Sequence, residues 1–184
     1  PMSLSSLNPK ENVAAITVER VGEATNALHK MRIGDILGVR GPFGNGYTPT
    51  NARKVVIVGG GTGLVSLTPL AEEIVQDKGS YVTFLLGAKT RSDLLFRERI
   101  KIAISKGRGE VVAATEDGSY GVKGLATTLA EQFLAKHKFD MVYTCGPEPM
   151  MYKMFLLGQL FEVPLQASLE RFMRCAIGLC GTCV

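Results

Sequence analysis

From residue 54 onward, short apolar runs alternate with longer amphipathic stretches, and this alternation restricts the chain to very few architectures. "KVVIV" (54–58), "YVTFLLGA" (81–88), "GEVVAAT" (109–115), "DMVYTC" (140–145) and "VPLQASL" (163–169) read as strands. Helices are predicted through "LTPLAEEIVQDK" (67–78), "SDLLFRERIKIAIS" (92–105), "GVKGLATTLAEQFLAKH" (121–137) and "PEPMMYKMFLLGQL" (147–160). Strands separated by helices cannot pair as hairpins; they become parallel neighbours through right-handed crossovers. The predicted class is therefore α/β, with a five-stranded parallel, doubly wound sheet. Ligands of such sheets sit beyond the carboxyl ends of the strands, so the chemistry should lie there.

The first fifty residues differ in pattern. "NVAAITVERV" (12–21) alternates and is β-branched, as a half-buried strand should be. "ATNALHKM" (24–31) reads as a short helix with Thr25 near its start, and "GDILGVRGPFG" (34–44) as a strand ending in a glycine-rich turn. So few strands cannot close a sheet alone, which predicts part of an antiparallel β-barrel. The division falls near "GNGYTPTNAR", giving expected segments 1–50, 51–169 and 170–184.

Composition narrows the function classes. Hydrophobic residues make up 46% of the 184, enough for a core, and no apolar run approaches the roughly 18 residues of a membrane span. The net charge of +4 is spread along the chain and aromatics are only 7%, which argues against a nucleic-acid surface. The densest charged stretch, residues 91–110, mixes acids with bases and reads as a solvated helix face. Four cysteines, three of them within nine residues, do not form a secreted disulfide framework; they read as metal ligands in a reducing, cytoplasmic compartment.

Three motifs carry chemistry. "VGGGTGLVSLTPL" (58–70) follows the first strand of the sheet, where Gly60, Gly61, Thr62 and Gly63 leave backbone N–H groups free to approach a phosphate. It does not fit G-x-G-x-x-G, and Lys89 stands where the second strand of a Rossmann unit would end in an acid. A plain βα turn is the bland alternative. "TCGPEPMM" (144–151) follows the fourth strand, with Cys145 before the tight Gly146–Pro147 turn; a buried packing cysteine is the bland alternative there. At the end of the chain, Cys175, Cys180 and Cys183 follow C-x4-C-x2-C, the plant-type 2Fe-2S spacing, with Gly178 and Gly181 keeping bulk away. Zinc, held by the three thiols with water or one distant ligand, is the rival.

"GGGTG" and "CGPEPMM" together resemble the nicotinamide-binding half of the ferredoxin–NADP reductase superfamily. "SLERFMRCAIGLCGTC" narrows the resemblance to the electron-transfer subunits of dihydroorotate dehydrogenase B. The resemblance covers essentially the whole chain and implies a flavoprotein oxidoreductase binding FAD, NAD(H) and a 2Fe-2S cluster. FAD is then lined by Pro1, Met2, Ser3, Thr17, Val18, Glu19, Ala24 and Thr25, the dinucleotide by Gly60 to Gly63, and the nicotinamide by catalytic Cys145 with Gly146 and Pro147. Cys175, Cys180 and Cys183 become iron ligands. The implied partner is the catalytic dihydroorotate dehydrogenase subunit, in a hetero-oligomer of pyrimidine biosynthesis, with no nucleic acid and no membrane. Against the family pattern, the flavin-binding Arg before Pro1 and the fourth cluster Cys are missing, so both ends read as truncated. A diaphorase subunit of a hydrogenase or ferredoxin:NADP transhydrogenase is the alternative. A non-catalytic flavin or nucleotide module with a zinc site is the remoter one.

Overall fold

The computed structural model describes residues 2–48, 50–175 and 177–183, and divides the chain into two compact units. Residues 47–169 form one; residues 1–46 with 170–184 form the other.

The larger unit is built on β3 (Lys54–Gly60), β4 (Tyr81–Ala88), β5 (Gly109–Thr115), β6 (Val122–Lys123), β7 (Met141–Cys145) and β8 (Leu165–Ala167). All pairings are parallel, in the order β6-β5-β4-β3-β7-β8. The α/β class is as expected, with a correction from five strands to six. Gly121 takes φ +69, and a Cβ there would lie 2.1 Å from the Ala113 carbonyl oxygen. That close approach turns residues 122–123 into a short edge strand and delays the expected helix to α4 (Ala126–Lys136).

Helices cover both faces because the central strands are apolar on both. Val55 and Ile57 pack with Phe84 and Tyr143 under α2 (Leu64–Ile74) and α3 (Arg97–Ser105). Val56 and Val58 pack with Leu85 and Val142 under α4 and α5 (Glu148–Leu160). Residues 55 to 58 are all within 1% of complete burial, each contributing roughly 2 kcal/mol of hydrophobic transfer. The amino end of the sheet is pinned by Asp140, whose carboxylate accepts the Arg53 and Lys54 N–H groups at 2.9 and 2.7 Å. Asp140→Ala should cost about 1 kcal/mol, read as a lower melting temperature.

In the smaller unit, β1 (Leu4–Asn8) and β2 (Val13–Ile16) make an antiparallel ribbon, turned through Pro9 to Asn12 with Asn12 at φ +54. β1 was not expected from the sequence, and β2 is shorter than the predicted 12–21. α1 (Glu23–Lys30) appears as predicted. The strand expected over 34–44 does not: among the described residues this stretch has no ladder partner, and Ile36 and Val39 stand 96% and 85% exposed. β-branched residues favour a strand, but only a paired neighbour makes one.

Candidate functional site

Strand order reverses at β3, which has β4 on one side and β7 on the other. A crevice opens at such a switch point, and both glycine-containing turns lie at it. Gly59 is in register with Cys145, so the two strands end level. Beyond them the chain turns through a 3₁₀ segment, Gly61–Gly63, into α2 on one side and through Gly146–Pro147 into α5 on the other.

The two turns touch through their backbones. A Cβ on Gly63 would meet the Cys145 carbonyl oxygen at 2.3 Å and the Gly146 nitrogen at 2.5 Å. A Cβ on Gly146 would meet the Gly60 oxygen at 2.9 Å and nitrogen at 3.1 Å. Gly61 is different: it is exposed at φ +56 with nothing nearby, so glycine there serves conformation rather than clearance. Thr62 is half-buried in the turn, and Pro149 occupies the first turn of α5, where its missing N–H costs nothing. Cys145 is a free thiol, only 5% exposed and packed with the α2-side core.

A hollow of about 720 Å³ lies past the ends of β4 and β5, lined by Thr90, Arg91, Phe96, Arg97, Arg99 and Ser119 among others. The helix expected over 92–105 begins only at Arg97, its face carries the ion pairs of exposed Glu98 with Arg97 and Lys101, and Arg91, Arg97 and Arg99 also border the hollow. Phe96 holds φ +53, a left-handed conformation rare for an aromatic residue, at the head of α3. Arg97 lies 4.6 Å over the Tyr120 ring and Arg91 5.7 Å from it, while Lys101 donates to the Tyr120 hydroxyl at 3.0 Å. That ammonium holds the phenol below its ordinary range. Glu98 and Asp117 also line the hollow, and Arg97 and Arg99 are paired with Glu98 and Glu72 at 2.7 Å, so among the described residues Arg91 is the lining arginine without a carboxylate partner. Basic, aromatic and hydroxyl groups side by side can still meet a phosphorylated nucleoside. The arginines stand in "TRSDLLFRER", but helical spacing alone does not reveal which of them border the hollow.

In the smaller unit, Met2 and Ser3 are exposed ahead of β1, and Thr17, Val18 and Glu19 follow β2 outside any strand or helix. Pro1 lies outside the described residues. The Val18 carbonyl is bonded to the His29 ring at 2.9 Å. Thr25 accepts the Val21 and Gly22 N–H groups at 3.0 and 2.9 Å, so its hydroxyl closes the start of α1 next to Ala24. In the terminal loop Cys175, Cys180 and Cys183 are free thiols. Backbone N–H groups of Ile177, Cys180 and Leu179 point at the Cys175 sulfur and bring its thiol down to about 6. Gly178 at φ +77 and Gly181 at φ +65 supply the bends. Among the described residues no three His, Cys, Asp or Glu side chains converge as a closed metal site. The thiolate-favouring N–H groups nevertheless fit the donor chemistry of a sulfur-bound metal centre.

A parallel sheet with two touching glycine turns at its switch point has the form of a dinucleotide-binding oxidoreductase module. Residues 57–154 match the oxidoreductase NAD-binding domain, more than half of the chain. More narrowly, the chain belongs to the family of electron transfer subunits of dihydroorotate dehydrogenase B. It is 37% identical over 183 residues to the probable NAD(+)-type subunit of Methanopyrus kandleri, covering 100% of this chain and 67% of that one. To the corresponding Methanocaldococcus jannaschii protein it is 40% identical over 183 residues, spanning 66% of that protein's length. Among solved structures, a chain of an NADH-dependent reduced ferredoxin–NADP oxidoreductase, studied for flavin-based electron bifurcation, superposes with a TM-score of 0.87 at 32% identity. That match covers 100% of this chain and 64% of the other. No helix among the described residues is long and apolar enough to cross a membrane.

Proposed function

We propose that this chain is the nicotinamide-handling part of an electron-transfer subunit. It would move electrons between NAD(H), FAD and a 2Fe-2S cluster, to or from a catalytic dihydroorotate dehydrogenase subunit in the cytoplasm. The observation that carries this reading is the backbone contact between Gly63 and Cys145, which sets the diphosphate turn and the thiol-bearing turn side by side. Gly60 to Gly63 hold the dinucleotide diphosphate at the head of α2, where N–H groups and the helix dipole favour negative charge. Cys145, Gly146 and Pro147 form the wall on which the nicotinamide rests.

Bound FAD supplies an acceptor that takes a hydride and releases electrons singly. Met2, Ser3, Thr17, Val18, Glu19, Ala24 and Thr25, with Pro1, are the residues assigned to it. Cys175, Cys180 and Cys183 are assigned as three thiolate ligands of the cluster, and thiolates select iron–sulfur centres over oxygen-loving metals. Phe96, Arg91 and Arg97 receive the adenosine end of the dinucleotide. Accordingly, Arg97→Ala should raise KM for NADH about tenfold with kcat nearly unchanged, because it removes binding common to ground and transition states.

The deciding experiment uses the full-length protein with its catalytic partner. Stoichiometric FAD and iron, NADH-driven flavin bleaching and dihydroorotate-driven NAD reduction would support the proposal. Bleaching by NADH with no response to dihydroorotate favours a second reading, a ferredoxin:NADP transhydrogenase or diaphorase subunit. The 32% likeness to the ferredoxin–NADP oxidoreductase structure speaks for that second reading.

A further inference from the structure

Tyr47 opens the larger unit, and its side chain reaches the switch point of the sheet. Its ring packs edge-on against Tyr143 at 5.5 Å and belongs to the same apolar cluster as Cys145. Its hydroxyl lies 3.4 Å from the Ser66 hydroxyl on α2 and 3.4 Å from the Thr144 carbonyl on β7. The Ser66 hydroxyl also lies 3.3 Å from the Gly63 carbonyl and shares its one proton between that carbonyl and the Tyr47 oxygen. The Thr144 carbonyl, which takes the Tyr47 proton, also accepts the Ser168 N–H at 3.0 Å. One phenol therefore links Ser66, in the first turn of α2, with Thr144, the residue preceding the thiol.

We propose that Tyr47 is a positioning residue: its hydroxyl ties α2 to the end of β7 and so fixes the Cys145 turn against the nicotinamide. This rests on the oxidoreductase reading above. Burial pushes the phenol well above its ordinary range, with the Ser66 hydrogen bond opposing, and the neighbouring Cys145 thiol raises it further. The group stays a neutral hydroxyl throughout the working pH range and acts as a bridge, not as an acid or base. The ring is wedged between strand and helix, so deleting only its oxygen leaves the packing intact.

The test is Tyr47→Phe in the full-length, FAD-containing protein, with Cys145→Ala measured in parallel. In Tyr47→Phe, kcat for NADH-dependent dye reduction should fall roughly three- to tenfold, the loss of about one hydrogen bond. KM for NADH and FAD content should hold, and the long-wavelength charge-transfer absorbance of the nicotinamide–flavin complex should weaken. Ser66→Ala should move the same readouts in the same direction by less. Unchanged kcat and absorbance in Tyr47→Phe, while Cys145→Ala is impaired, overturns the positioning role alone. So does a fall in kcat accompanied by FAD loss or a higher KM, which marks a merely structural role. A silent Cys145→Ala overturns both the proposal and the site assignment beneath it.

Discussion

Gly63→Ala in the full-length protein is expected to slow NADH-driven flavin reduction by about 100-fold and to lower stability by about 3 kcal/mol. The added methyl would sit 2.3 Å from the Cys145 oxygen, 2.4 Å from its carbonyl carbon and 2.5 Å from the Gly146 nitrogen. All three are backbone atoms, so no rotamer change relieves the contact. α2 or the β7 turn must retreat by roughly 1 Å to restore ordinary van der Waals separation. A displacement of that size between groups that orient a reacting substrate is enough for a hundredfold loss. Gly61→Ala separates clearance from conformation. Its φ of +56 makes alanine unfavourable, but no heavy atom lies within 4 Å. It should lose only about 1 kcal/mol. Thermal unfolding and rapid-mixing absorbance measure both variants. A Gly63→Ala protein with the parental melting temperature and reduction rate would show that the two turns do not share a site.

The sheet was legible in the sequence because its strands are buried on both faces. Lys54–Gly60, Tyr81–Ala88 and Gly109–Thr115 fall close to the apolar runs that predicted them. The two chemical turns were legible for a related reason: only glycine tolerates the close approach at positions 63 and 146, so composition reports geometry there. Edges were not legible. Val122–Lys123 is a strand only because Gly121 lets it approach Ala113, a contact 8 residues away that periodicity does not register. Leu4–Asn8 and the stretch 34–44 erred in opposite directions, since pairing with a neighbour, rather than propensity, decides whether a polar or exposed segment becomes a strand. The hollow past β4 and β5 was half-visible. Its arginines stood in the sequence, but the left-handed turn at Phe96 that starts α3 at Arg97 has no residue signature. Tyr47 and Ser66, 19 residues apart, carry no motif; the fold alone brings them together.

Cys180→Ser, also in the full-length protein, should abolish the visible iron–sulfur absorbance and the bound iron while leaving NADH-to-dye activity within about twofold of the parent. A serine hydroxyl is far less acidic than a thiol and is a poor ligand for iron at neutral pH. Cys180 is the exposed thiol of the three, with its S–H donating to the Thr182 hydroxyl at 3.2 Å. The substitution therefore removes the proposed ligand without disturbing a packed core. Dye reduction needs only the dinucleotide turns and the flavin, so it should survive, whereas dihydroorotate-linked electron transfer should be lost. Iron and zinc analysis of the parent protein tests the metal itself: stoichiometric zinc with no visible bands would favour the zinc loop. Loss of dye activity with FAD retained would mean that the terminal loop acts on the nicotinamide step as well. Bands that persist in Cys180→Ser would remove this residue from the ligand set, leaving the C-x4-C-x2-C spacing a coincidence of a thiol-rich turn.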